Sequence, residues 1–84
     1  NLAGRIAEDP DTRLVLFFGS AATGRRFRLD SDIDLAVEGG DILSHRARVE
    51  GSAFAVDVVD LRTLPLPLRE MVESEGECLY AKRD

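Results

Sequence analysis

The chain has 84 residues, of which 16 are Asp or Glu and 11 are Lys or Arg, so its formal net charge at pH 7 is -5. This acidic balance argues against direct nucleic-acid binding, because nucleic-acid-binding domains carry a basic surface. The length predicts one domain over residues 1–84, with a core small enough that a partner protein would add stability. The single cysteine excludes an intramolecular disulfide. Without a disulfide framework, a signal-peptide pattern or a membrane-spanning apolar run, the sequence predicts a cytoplasmic protein.

The first two predicted elements are a helix and a buried strand. Helical spacing of apolar residues over 2–8 predicts a helix, which ends before Pro10 because proline disfavours helix at the preceding residue. The uninterrupted apolar run at 14–18 is short and is bounded by turn residues. That pattern is typical of a strand covered on both faces, and we expect it to be the central strand.

A Gly-Ser turn and a basic loop follow this strand. Ser20 can cap a short helix, and the free N–H groups at a helix start can bind an anion. Gly19 and Ser20 therefore indicate either a phosphate-binding turn or an ordinary strand-to-helix turn. The guanidinium groups of Arg25, Arg26 and Arg28 match phosphate oxygens in a bidentate way. A solvated loop is the alternative interpretation of this basic cluster.

Two carboxylates alternate with apolar residues in the next predicted strand. Asp32 and Asp34 share one side of it, while Ile33 and Leu35 share the other, because side chains alternate along a strand. The two aspartate Cα atoms are expected about 6.6 Å apart at a rise of ~3.3 Å per residue. Their oxygens can then converge on one metal ion or hold two ions about 3.5–4 Å apart. An acidic surface turn is the alternative, and the alternation with apolar residues favours a metal site.

A third carboxylate, Asp57, is embedded in an apolar strand predicted over 54–61. Burying an unpaired charge is costly, so we expect Asp57 to join Asp32 and Asp34. Asp60 lies near the end of the same strand and is predicted to cap or turn the chain instead.

Three further elements are predicted: a helix over 41–50 capped by Asp41, a helix over about 67–75 that starts at Pro67, and a terminal strand or extended tail over 77–82. His45, the only histidine, is predicted to be an exposed helix residue. Cys78 and Tyr80 are expected to point together as packing residues, since no reactive or metal-binding pattern surrounds the cysteine.

Taken together, these motifs resemble the DNA polymerase β-type nucleotidyltransferase superfamily, and most closely its minimal nucleotidyltransferase (MNT) members. The likeness rests on the apolar strand followed by Gly19-Ser20, the basic loop, the run Ser31-Asp32-Ile33-Asp34-Leu35 and the later strand with Asp57. It covers nearly the whole chain. The resemblance implies an α/β (α+β) nucleotidyltransferase fold, in which a small mixed central sheet is flanked by helices.

The same resemblance implies a metal-dependent nucleotide site that uses ATP and two Mg²⁺ ions. The catalytic and metal-binding residues would be Asp32, Asp34 and Asp57, and the nucleotide-binding residues would be Gly19, Ser20, Arg25 and Arg26. Asp57 would help to activate an acceptor hydroxyl, which attacks the α-phosphorus as pyrophosphate leaves. Thr23 departs from the family pattern, since many members have arginine there, and the interval over 21–31 is one residue longer than usual. Arg25 or Arg26 takes over the missing phosphate contact, or nucleotide binding is weakened.

The resemblance also implies a partner, because similar minimal proteins pair with a small helical HEPN-domain toxin. The expected reaction is transfer of AMP from ATP to a tyrosine hydroxyl of this HEPN ribonuclease toxin, which neutralises it. Two alternatives stay open: a non-catalytic antitoxin that neutralises the toxin by binding alone, and nucleotidyl transfer to a small-molecule acceptor. The second of these would require an acceptor-binding domain.

Overall fold

The computed structural model describes residues 1–18 and 33–83, which form a sheet with helices on both of its faces. The helices are α1 (Leu2–Ala7), α2 (Ile42–Val49) and α3 (Leu66–Glu75); the strands are β1 (Leu14–Phe18), β2 (Ile33–Glu38), β3 (Val56–Asp60) and β4 (Glu77–Ala81). A 3₁₀ turn, Leu61–Thr63, joins β3 to α3. The short helix predicted after Ser20 and the basic loop lie outside the described residues. Within those residues, no helix has the length and apolar character needed to cross a membrane.

The sheet is mixed, as the resemblance implies. Its strands are ordered β3-β2-β1-β4. Strand β1 pairs antiparallel with both β2 and β4, whereas β2 and β3 run parallel. The predicted strand at 14–18 is therefore an internal strand. Phe17, near its end, remains 37% exposed, so the strand is not completely covered on both faces.

Two apolar clusters lie on opposite faces of the sheet. The first packs β1, β2 and β3 against α1 and α2, and its buried members are Ala3, Ile6, Val15, Leu35, Val37, Val49 and Val58. The second packs β1 and β2 against the 3₁₀ turn and α3, and its buried members are Leu16, Phe18, Ala36, Leu61 and Val72. Successive residues of β1 and β2 enter opposite clusters, because strand side chains alternate between the two faces.

Predicted capping residues account for several element boundaries. The carboxylate of Asp41 accepts a hydrogen bond from the N–H of Leu43 at 3.3 Å and so caps α2. The carboxylate of Asp60 accepts one from the N–H of Arg62 at 3.0 Å, which caps the 3₁₀ turn. Pro67 lies in the first turn of α3, where a missing N–H costs no intrahelical hydrogen bond. The expectations for Asp41 and Asp60 are therefore confirmed.

The prediction that His45 is exposed was wrong. The side chain is 1% exposed, and its Nε2 lies 2.7 Å from the carbonyl oxygen of Gly39. Because a carbonyl oxygen only accepts, Nε2 must carry the proton and donate. Leu43 is instead 67% exposed. The turn before α2 thus rotates the helix so that an imidazole, rather than the nearby leucine, enters the interior.

The prediction that Cys78 and Tyr80 point together was also wrong. Tyr80 pairs with Val15, but the register then shifts and Cys78 pairs with Leu16. Val15 and Leu16 belong to clusters on opposite faces of the sheet. An extra residue inserted into β4 interrupts the alternation of its side chains, so Cys78 and Tyr80 lie on different faces, with Cys78 exposed.

Replacing Gly40 with alanine should destabilise the fold more than the same change at Gly51. Both glycines have positive φ, +78° and +86°, a region that costs most other residues on the order of 1 kcal/mol or more. At Gly40 an added Cβ would also lie 2.6 Å from Asp9 Oδ2 and 2.8 Å from His45 Nε2, whereas at Gly51 it meets nothing within 4 Å. Urea denaturation should give the larger loss for Gly40→Ala by about 1–2 kcal/mol. Equal losses would mean that the Asp9 and His45 side chains move away from the added Cβ without lowering the free energy of unfolding.

Candidate active site

Asp34 and Asp57 lie directly opposite each other on neighbouring parallel strands. They are register partners in the β2–β3 ladder, and neighbouring strands are spaced about 4.8 Å apart. Register partners in a ladder project to the same face of the sheet, so the two carboxyl groups extend side by side. Both residues are buried, at 4% and 9% exposure. The structure therefore brings together two of the three aspartates that were predicted from the sequence to lie close to one another.

The two aspartates lie on the sheet face that carries the second apolar cluster. Asp34 is also the register partner of Phe18 in β1, and Phe18 is 1% exposed and belongs to that cluster. The carboxylates thus border packed apolar side chains, which strengthens electrostatic interactions by lowering the local dielectric. Neither aspartate is without an interaction partner.

The backbone of Asp57 is fixed by its neighbour strand. The N–H of Ile33 donates to the carbonyl of Ala55 at 3.1 Å. In a parallel ladder, residues alternate between directing both backbone groups toward the neighbour and directing both away. Since Ala55 faces β2, Asp57 also directs its N–H and C=O toward β2, and Val58 directs its own away. The strand therefore holds the Asp57 carboxylate on a backbone that is hydrogen-bonded on both sides of its Cα.

Asp60 takes no part in this pair. It is three residues beyond Asp57 on β3, and its carboxylate accepts the Arg62 N–H and approaches the Arg62 Nε at 3.4 Å. An odd separation along a strand places two side chains on opposite faces. The prediction that Asp60 caps the chain instead of joining Asp57 is confirmed.

The donor set of the described pair suits a hard divalent cation. Mg²⁺ prefers carboxylate oxygens, and protein sites commonly supply one or two carboxylates while the substrate's phosphates supply the rest. Asp34 and Asp57 offer two such groups on one face. Over 1–18 and 33–83, no group of three or more His, Cys, Asp or Glu residues is placed to hold a metal ion. The predicted third carboxylate, Asp32, lies just outside this range.

Five of the seven predicted site residues lie outside the described residues: Gly19, Ser20, Arg25, Arg26 and Asp32. Their roles stay predictions. The described part of the chain also shows a contact next to Asp57 that the sequence did not predict: the Nε of Arg46 on α2 donates to the carbonyl of Val58 at 3.1 Å. The sequence pattern of α2 gave no sign of this acceptor.

Comparison with known proteins gives matches along the whole chain. A family model described as "Polymerase beta, Nucleotidyltransferase" matches residues 1–84. The chain is 38% identical over 78 residues to the protein adenylyltransferase MntA of Shewanella oneidensis, an alignment that covers 84% of this chain and 55% of that relative. The chain thus spans about half the length of this curated relative.

Solved structures with the same fold come from toxin-antitoxin complexes. A crystal structure of a toxin-antitoxin with AMP-PNP matches with a TM-score of 0.68 and 28% identity, covering 99% of this chain and 73% of that chain. A structure of tri-AMPylated Shewanella oneidensis HEPN toxin in complex with MNT antitoxin matches with a TM-score of 0.60 and 22% identity, covering 98% and 74%. At that identity the second likeness establishes the fold alone.

Mg²⁺ should raise the melting temperature of the wild-type protein, and Asp34→Asn should abolish the rise. A ligand that binds only the folded state stabilises it by about 2.7 kcal/mol at 100 times its Kd, and the amide removes a charged oxygen donor. Differential scanning fluorimetry at increasing Mg²⁺ concentration measures the shift. Asp60→Asn is the matched control, because it removes one carboxylate from the same sheet but not from the pair. A shift that survives Asp34→Asn unchanged would show that the cation binds elsewhere.

Proposed function

Since the chain belongs to the polymerase β nucleotidyltransferase family, we propose that it is an antitoxin of the MNT group that transfers AMP from ATP to a tyrosine hydroxyl of a cognate HEPN ribonuclease toxin. The modification would neutralise the toxin. The observation that carries the proposal is the buried pair of Asp34 and Asp57, aligned on one face by the parallel ladder. Paired carboxylates on rigid strands are the protein's part of a metal-assisted phosphoryl transfer site.

The comparisons support the reaction class and the kind of partner. The relative that is 38% identical is a protein adenylyltransferase, which transfers AMP to a protein. The structure that is 28% identical is a toxin-antitoxin holding AMP-PNP, an ATP analogue.

In the proposed reaction Asp34, Asp57 and Asp32 would hold two Mg²⁺ ions. Bound Mg²⁺ would supply Lewis-acid polarisation of the α-phosphate and neutralise charge that develops on the leaving pyrophosphate. The residues would act as follows. The Asp57 carboxylate would accept a hydrogen bond from the acceptor hydroxyl and take its proton. The tyrosine oxygen would form its bond to the α-phosphorus while the bond from that phosphorus to the pyrophosphate oxygen breaks.

The nucleotide's other phosphates would be held by the residues between β1 and β2. Gly19 and Ser20 would offer a backbone N–H and a hydroxyl to the β- and γ-phosphates, and Arg25 and Arg26 would add charge-assisted hydrogen bonds. We also propose that the reaction takes place in the cytoplasm, where ATP is supplied. The apolar cover beside Phe18 would limit water near the α-phosphorus and so favour transfer over hydrolysis.

Incubation with α-labelled ATP, Mg²⁺ and the cognate helical toxin should transfer label to the toxin. Asp57→Asn should lower the rate by a factor on the order of 10² or more, because the amide removes a metal ligand and a proton acceptor at once. Labelled toxin is quantified after denaturing electrophoresis, and the acceptor residue is identified by mass spectrometry. Asp60→Asn again serves as the matched control and should retain near wild-type transfer.

The two alternatives give different results in the same assay. A non-catalytic antitoxin would block toxicity without transferring label, and Asp57→Asn would then neutralise the toxin as well as the wild type does. A small-molecule acceptor would leave the toxin unlabelled even while ATP is consumed. Full transfer by Asp57→Asn would contradict the role given to Asp57 without contradicting the reaction itself.

A further inference from the structure

Strand β3 carries Asp57 at one end of the described sheet, where only one of its two edges has a neighbouring strand. Its inner edge pairs with β2. At its outer edge the carbonyl of Val58 points away from β2, because it alternates with the inward-facing Asp57. The Nε of Arg46 on α2 donates to this carbonyl at 3.1 Å. Arg46 therefore supplies, from a side chain, a hydrogen bond that a further strand would otherwise make.

We propose that Arg46 is a positioning residue for Asp57, acting through the backbone of β3; this inference rests on the role that the proposed function gives to Asp57. Two consecutive carbonyls are held from opposite sides. That of Asp57 faces β2, and that of Val58 faces Arg46. Bonds on both edges at adjacent peptides fix the rotation of the strand about its own axis, and this rotation sets the direction of the Asp57 carboxylate.

The direction of a carboxylate matters because a metal site tolerates little error. Catalytic and metal-binding groups must be held within about 0.5 Å of the productive geometry, and a 1 Å displacement can cost roughly 10²-fold in rate. Groups that orient metal ligands from outside the coordination sphere typically contribute about 10–100-fold in metal affinity. Strand β3 has five residues and lies at the end of the described sheet, so the loss of an anchor at its outer edge should reach the carboxylate.

Arg48 provides a matched comparison on the same helix. Its Nη1 donates to Glu8 Oε1 at 3.1 Å, which joins α2 to the end of α1 rather than to β3. A variant at Arg48 thus removes one side-chain hydrogen bond of α2 without touching the strand that carries Asp57. If Arg46 only stabilised the fold, variants at the two arginines would affect the site alike.

Three substitutions at position 46 separate the contributions of the N–H donor, the charge and the side-chain length. Arg46→Gln keeps an N–H donor at the same number of bonds from the backbone as Nε but removes the charge. Arg46→Met keeps the length of the side chain as far as the position of Nε and removes both the donor and the charge. Arg46→Lys keeps the charge and moves the donor one bond outward. Arg48→Met is the control for loss of a hydrogen bond elsewhere on the helix.

The test measures Mn²⁺ affinity by electron paramagnetic resonance, together with kcat and KM for ATP in the AMP-transfer assay, on variants that retain native circular dichroism. Arg46→Met should weaken Mn²⁺ binding and lower kcat by about tenfold each, with KM for ATP within about twofold of wild type. Arg46→Gln should restore both quantities to within about threefold of wild type. Arg48→Met should leave both quantities unchanged.

Several results would overturn the proposal. Wild-type Mn²⁺ affinity in Arg46→Met is one, and equally weak binding by Arg46→Gln and Arg46→Met is another. If Arg46→Met does not fold, Arg46→Lys and Arg46→Gln are compared instead. Mn²⁺ binding by Arg46→Lys that equals or exceeds that of Arg46→Gln would assign the effect to charge, and this result would also overturn the proposal. A wild type that binds Mn²⁺ but transfers no AMP would refute the proposed function alone, and Arg46 would then be judged on Mn²⁺ affinity. A wild type that binds no Mn²⁺ would refute both.

Discussion

The parallel pairing of β2 with β3 is the constraint on which the candidate site depends. It sets Asp34 opposite Asp57, although 22 residues separate them in the sequence. A slip of one residue would move every side chain of β3 to the other face, sending Asp57 into the cluster beneath α1 and α2. The apolar residues prevent the slip, because Leu35 and Val58 are both fully packed in that cluster. The fold therefore uses core burial on one face to align charge on the other.

Helix α2 makes this parallel pairing possible and also adjusts it. Two parallel strands need a crossover connection, usually a helix, and α2 is that connection between β2 and β3. Two adjacent residues of α2, His45 and Arg46, contact different strands and connections of the fold. His45 is buried and bonds to the carbonyl of Gly39, which fixes how the helix leaves β2. Arg46 bonds to Val58, which fixes how β3 runs once the chain has returned to the sheet.

The sequence predicted well what depends on local periodicity. Alternation of polar and apolar residues was sufficient to place Asp34 and Leu35 on opposite faces of β2, and Asp57 and Asp60 on opposite faces of β3. The two faces of a strand are set by covalent geometry. Prediction from the sequence failed where tertiary contacts decide. The burial of His45 depends on a turn with positive φ at two glycines, and the split between Cys78 and Tyr80 depends on a register shift against β1. The phosphate-binding residues Gly19, Ser20, Arg25 and Arg26 stay predictions.

Charge explains why the carboxylate pair and the nucleotide must be considered together. The chain carries a net charge of -5, and two of its carboxylates are buried side by side where the proposed reaction brings a triphosphate. Like charges at short range in a low-dielectric site repel strongly. A divalent cation reverses the local sign of the field, so in the proposed reaction the nucleotide and its cations must enter together or the cations first. In the proposed site the predicted basic loop would add to ATP affinity, but its charge would not replace that of a cation held by the two aspartates. The proposed order of binding therefore follows from the register of two strands and from the charge that this register concentrates.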